Sequence, residues 1–138
     1  MARTLPSLAA AIVLLASPAF AESPETASQT AIAGQIAAFQ AEDGDLAYSY
    51  AAPSVRRFFP NQNAFMNMVR SGYQPVYDPS GYSFGRFAES NGQLFQEVLV
   101  TGPKGKDWVA LYTLEVQDDG SVLITGCRLV ADNNSRSI

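Results

Sequence analysis

Histidine is absent from this 138-residue chain, and cysteine occurs once, at Cys127. The first absence removes the commonest general base at neutral pH, the commonest neutral metal ligand and every Ser-His or Cys-His nucleophile. With one cysteine no intramolecular disulfide can form, so packing alone must hold the core. Cys127 lies in the apolar run LITGCRLV, where a buried thiol is the expected outcome. Basic residues are also scarce: nine Lys and Arg stand against thirteen Asp and Glu, a net charge of −4. They are scattered, whereas nucleic acid and anionic membranes call for clustered cations, so neither is an expected partner. No cofactor or metal is expected. Nor is there an apolar run of the roughly 20 residues that a membrane-spanning helix needs, so no stable membrane anchor is expected.

The N-terminus reads as an export signal. Arg3 gives a positive start, Leu8 to Leu15 (LAAAIVLL) a short apolar run, and Ala19-Phe20-Ala21 a small-residue cleavage pattern before Glu22, together the layout of a secretory signal peptide. Residues 1–21 are therefore expected to be removed, with cleavage near Ala21 and a periplasmic or secreted destination. Residues 22–29 (ESPETASQ) read as a flexible lead-in, residues 30–131 as a single domain, and residues 132–138 as a disordered tail.

Within the domain, Ile32, Ile36 and Phe39 recur at helical spacing, with Gln35 and Gln40 outside the stripe. Asp43-Gly44-Asp45 breaks that helix, Gly44 being suited to a left-handed conformation and Asp45 to capping a second helix over Leu46 to Ala51. Val55, Phe58 and Phe59 form a turn ending at Pro60. A third helix, capped by Asn61 or Asn63, presents Phe65, Met66, Met68 and Val69 before Gly72. Pro75 is expected to hold Gln74 extended, fixing Tyr73 and Tyr77 at the exit towards the sheet. Four segments rich in β-branched and aromatic residues follow, Tyr82–Glu89, Leu94–Thr101, Trp108–Val116 and Ser121–Val130. Short turn sequences, among them Ser90-Asn91-Gly92 and Asp118-Asp119-Gly120, separate them, which predicts an antiparallel meander. Pairing through those turns puts residues 95, 97, 99, 109, 111, 113, 123, 125, 127 and 129 on one face. Val98, Val100, Trp108, Tyr112, Leu114, Ile124 and Val130 fall on the other.

Several stretches carry a family resemblance: Ile36 to Asp43 (IAAFQAED), Ala52 to Arg56 (APSVR), Phe65 with Met68-Val69-Arg70, Gly72 to Tyr77 (GYQPVY), Gln96 to Tyr112, and Gly126-Cys127-Arg128-Leu129. They resemble a family of small exported bacterial proteins, the domain of unknown function 4864, within the nuclear-transport-factor-2-like (cystatin-like) superfamily. That resemblance implies an α+β fold, a cone of N-terminal helices packed on a curved antiparallel sheet, and brings no known activity. Enzymes of the wider superfamily, isomerases and dehydratases, use an aspartate or histidine base with tyrosine donors. This chain has no histidine and no acid that stands out in the matching position. A homodimer through the open sheet face is common in the superfamily and is carried as an expectation.

Two site readings follow from the residues. Glu97 interrupts the apolar strand Phe95 to Val100, where desolvation would raise its pKa and suit it to act as a base, unless Arg70, Arg86 or Arg128 pairs with it. Tyr73, Tyr77, Tyr82, Trp108 and Tyr112 offer apolar bodies with one polar tip, the composition of a small-molecule pocket. Arg56 and Arg70 are candidates to point into the cone and hold an anion. The favoured function is an exported, non-catalytic module that binds a small molecule or another protein. The alternative is a small isomerase-, dehydratase- or hydrolase-like enzyme with Glu97 as base and Tyr112 or Tyr73 as donor.

Overall fold

The computed structural model describes residues 2–7, 9–14 and 22–133. The cleavage pattern at Ala19-Phe20-Ala21 and residues 134–138 of the expected tail lie outside them. Residues 2–7 and 9–14 are exposed and irregular, and no helix among the described residues is long and apolar enough to cross a membrane.

Among the described residues five helices precede four strands: α1 (Pro24–Gln40), α2 (Gly44–Ser49), α3 (Pro53–Arg56), α4 (Gln62–Gly72), α5 (Gln74–Tyr77), then β1 (Gly81–Ser90), β2 (Gln93–Thr101), β3 (Asp107–Val116) and β4 (Val122–Ala131). The strands form one antiparallel sheet in the order β1-β2-β3-β4. The class is α+β, with the helices against one face, as expected. The first hairpin follows from Asn91 and Gly92, whose φ angles of 51° and 78° are the left-handed pair that a two-residue turn between right-twisted strands requires.

The lead-in of residues 22–29 is corrected. Ser23 accepts a hydrogen bond from the Thr26 N–H at 3.2 Å and Pro24 starts α1, a capped start with proline where its missing N–H costs nothing. Ser28, expected to be loose, is fully buried. The buried face of α1 runs Ser28, Ala31, Ile32, Gln35, Ile36 and Phe39, so it includes two polar residues that a purely apolar stripe leaves out. Gln35 tolerates burial because its side-chain amide donates to the Ala47 carbonyl at 3.1 Å.

Three other local expectations change. Glu42, with φ 54°, takes the left-handed position that ends α1, while the Glu42 and Asp43 N–H groups donate to the Phe39 and Ala38 carbonyls. Asp43, two residues before Asp45, caps α2 by accepting from the Leu46 N–H. Gln74 is helical: Pro75 falls in the first turn of α5, where a proline is accommodated.

Two apolar clusters result. The first lies between α1 and the sheet, with Ile32, Ile36, Leu94, Val98, Tyr112, Leu114 and Ile124 buried. The second joins the far side of α1 to α2 and α4 through Phe39, Ala47, Phe65, Met66 and Val69. Tyr73, between α4 and α5, packs against both.

Bulges set which side chains meet the helices. In β1, Gly85 and Arg86 together oppose Glu97. In β4, Thr125 has no partner, since Thr113 pairs with Gly126 and Leu114 with Ile124. That extra residue reverses the alternation, so Cys127 and Leu129 share the helix-covered face with Tyr112, and Val130 pairs with Val109 on the outer face. The register inferred from the turns alone therefore has residues 127, 129 and 130 on the wrong faces. Beside the bulge, the chain between α2 and α3 pairs with the edge of β4: the Ala52 N–H donates to the Ile124 carbonyl at 2.8 Å, and the Ile124 N–H to the Tyr50 carbonyl at 2.9 Å. This contact brings α3 over the sheet.

Candidate functional site

Where the two clusters meet, they leave a gap of about 310 Å³. Phe39, Phe65 and Val69 wall it from the second cluster, Val76, Tyr112 and Ile124 from the first, and the bulged stretch Thr125 to Cys127 closes one side. Val55 of α3 and Phe58 stand at its rim, Phe58 being 83% exposed. The volume is that of a small-ligand pocket. No Asp, Glu, Lys or Arg is among its lining residues. Among the described residues no group of His, Cys, Asp and Glu side chains is arranged to hold a metal.

Among the polar residues of the wall, Tyr112 stands out by its burial. It is 2% exposed, and its hydroxyl makes no hydrogen bond with any described residue. Cys127 is its cross-strand neighbour on β4, and both groups are acids that burial keeps neutral. Burial pushes the Tyr112 phenol well above its ordinary value, with the Cys127 sulfur adding to the effect. Burial likewise drives the Cys127 thiol from 9.0 up to about 12, the contact with Tyr112 opposing it weakly. Cys127 as a residue is only part-buried, so it is the thiol end that is desolvated. The Tyr112–Cys127 approach is a contact short of a hydrogen bond, sulfur being a weak partner.

A pH dependence follows. Both folded-state pKa values are raised, so the unfolded chain releases these protons first as pH rises, and the stability they contribute is whole below about pH 9 and is lost towards pH 12. Urea midpoints are expected to fall across that window, and Cys127→Ala to flatten the fall by the share of one proton. An unchanged slope in that variant would show that the thiol is not held neutral.

The other predicted site residues lie elsewhere. Tyr73 lines the gap with Tyr112, whereas Tyr77 does not: its ring packs on Phe39 and its hydroxyl accepts from Arg70 Nη2 at 3.1 Å. Arg70, expected to point inwards, is exposed, stacked over Tyr77 and bonded to Asn67. Arg56 is outside the gap, its guanidinium 5.9 Å from the centre of the Tyr48 ring, with a buried Nε that has no partner. Tyr82 sits exposed on β1 against Phe84. Trp108 lies under Lys106 Nζ at 4.4 Å. The five-aromatic pocket thus reduces to two tyrosines, because α5 turns Tyr77 outwards and the sheet spreads the rest along its length.

Glu97 is placed on the opposite face of the sheet from Tyr112, since Gln96 pairs with Tyr112 and Glu97 with Leu111. Its Oε2 accepts from the Arg86 N–H at 3.3 Å and pairs with Arg86 Nε at 3.4 Å. It is a clasp for the β1 bulge, and Glu97 with Tyr112 cannot form one base-and-donor site. Gln96 holds the same bulge from inside, donating to the carbonyls of Gly85 and Arg86 at 3.3 Å and receiving Gln29 at 3.3 Å. A glutamine in an alternating strand was the available signal for it.

The sequence matches the profile of a domain of unknown function, DUF4864, over residues 21–137. The chain belongs to the DUF4864 family. No curated protein matches this DUF4864 chain. Among solved structures, it is similar to an NTF-2 like protein of unknown function from Burkholderia xenovorans LB400, at 16% identity, covering 78% of this chain and 86% of that one, with a TM-score of 0.48.

Proposed function

We propose that this protein is a non-catalytic binding module that takes up a small, largely apolar molecule in the gap between its two apolar clusters, and that it works after export. The observation that carries the reading is the gap itself, a volume of about 310 Å³ walled by aromatic and aliphatic side chains and free of ionised ones. An apolar cleft of this size offers a small ligand contacts along most of its surface. The leader-like residues 1–21 support export. The direct test is titration of the chain from Glu22 onward with 2-ethylnaphthalene, followed by methyl NMR shifts. Perturbations centred on Val69, Val76 and Ile124 are expected, and shifts confined to the outer sheet face would sink the reading.

A second reading, self-association, rests on the outer sheet face, where Phe95, Leu99 and Val130 are exposed. Such a row of apolar side chains on a sheet marks a contact surface. Light scattering coupled to size exclusion is expected to give a dimer mass, and a monomer at high concentration would count against it.

A further inference from the structure

The chemistry of the gap narrows its occupant, an inference that rests on the gap being a binding site. Its polar groups are few, and two of the buried or half-buried ones are engaged within the protein. The Gln35 amide donates to the Ala47 carbonyl, and the hydroxyls of Thr125 and Thr113 bond to each other at 3.0 Å. Tyr112 is the exception: a buried hydroxyl in the wall with no hydrogen-bond partner among the described residues. A buried donor left unpaired is costly, and an acceptor brought beside it removes that cost. An ion, in contrast, would lose its hydration and meet no counter-charge on any lining residue.

We propose that the gap selects an uncharged, mostly apolar molecule whose one polar group is a hydrogen-bond acceptor, a carbonyl or ether oxygen, which receives the Tyr112 hydroxyl. Cys127 has a second part in this arrangement. It pairs with Tyr112 across β3 and β4 and lines the gap beside it, so it borders the side from which an acceptor would come. Cys127 is then a positioning residue and Tyr112 the group that touches the ligand.

Three probes of one skeleton separate the contributions: 2-acetylnaphthalene, 2-ethylnaphthalene and 2-naphthoate, each titrated at pH 7. The ketone is expected to bind about tenfold tighter than the hydrocarbon, the worth of one net hydrogen bond. The carboxylate is expected to be weaker than the ketone by on the order of a hundredfold. Tyr112→Phe brings the ketone down to the level of the hydrocarbon, while the urea midpoint of the unliganded protein holds or rises because an unpaired group has been removed. Cys127→Ala widens the lead of the ketone by unscreening the hydroxyl.

Equal binding of ketone and hydrocarbon would overturn the proposal, as would tightest binding of naphthoate or a ketone lead that survives Tyr112→Phe. A clear fall in the urea midpoint of Tyr112→Phe would overturn it too, by showing that the hydroxyl is satisfied within the protein. In all these cases hydrocarbon shifts at Val69 and Ile124 would leave the gap standing as a binding site. If no probe perturbs those residues, the gap reading falls and the ligand class falls with it.

Discussion

Val69→Trp is expected to weaken uptake of 2-ethylnaphthalene by at least about a hundredfold while the protein stays folded. Val69 is 4% exposed and belongs to the second cluster, yet it also lines the gap. An aromatic body of this size buries about 150–250 Å², and at roughly 25 cal/mol per Å² that is about 4–6 kcal/mol of transfer free energy. A hundredfold corresponds to about 2.7 kcal/mol, so filling the space the probe needs removes more than enough to produce the loss. Overpacking a closed core costs about 1–3 kcal/mol; here the added ring has about 310 Å³ to enter, which relieves the strain. The measurement is the same NMR titration, with a urea curve as the control for folding. Retained probe affinity in a folded Val69→Trp protein would mean that the ligand sits elsewhere.

Phe39→Ala should be the most damaging single substitution, lowering unfolding free energy by about 3–5 kcal/mol. Against a total of about 5–15 kcal/mol for an ordinary domain, that is a large share. Phe39 is 2% exposed near the end of α1, with ring centroids 6.2 Å from Phe65 and 5.8 Å from Tyr77. It thus ties α1 to α4 and α5. Because it also lines the gap, its removal enlarges the binding volume, so a variant that survives should admit bulkier hydrocarbons than the native protein. Urea unfolding reads the first effect and a three-ring probe the second. A loss below about 1 kcal/mol would show that the helices are held to the sheet by the first cluster alone.

The legible parts of this chain are those set by neighbouring residues. Asn91-Gly92 specifies its turn through the backbone freedom of those two residues, and the strands that flank it need only alternate. The Asn61 cap and the end of α4 at Gly72 are equally local. Tyr73 and Tyr112 could be named as pocket candidates from their chemistry, but not separated from Tyr77, Tyr82 and Trp108. That separation depends on α5 being helical, which turns Tyr77 outwards to Arg70. Glu97 misled for a related reason. An acid in an apolar strand looks like a buried base until the register puts it across the sheet from Tyr112 and beside Arg86.

By itself the sequence determined the four strands, the order of helices before a meander, the absence of an intramolecular disulfide and the family, since each is fixed by local pattern or composition. The tertiary structure alone decided which face each residue occupies and where the gap lies. A single unpaired residue, Thr125, moves Cys127 to the same face as Tyr112, and side chains alternate with a period of two, so one inserted residue exchanges the faces of all that follow. The gap exists because Phe39 and Tyr112, 73 positions apart in sequence, belong to clusters that meet without filling the space between them, a packing outcome that no local pattern encodes.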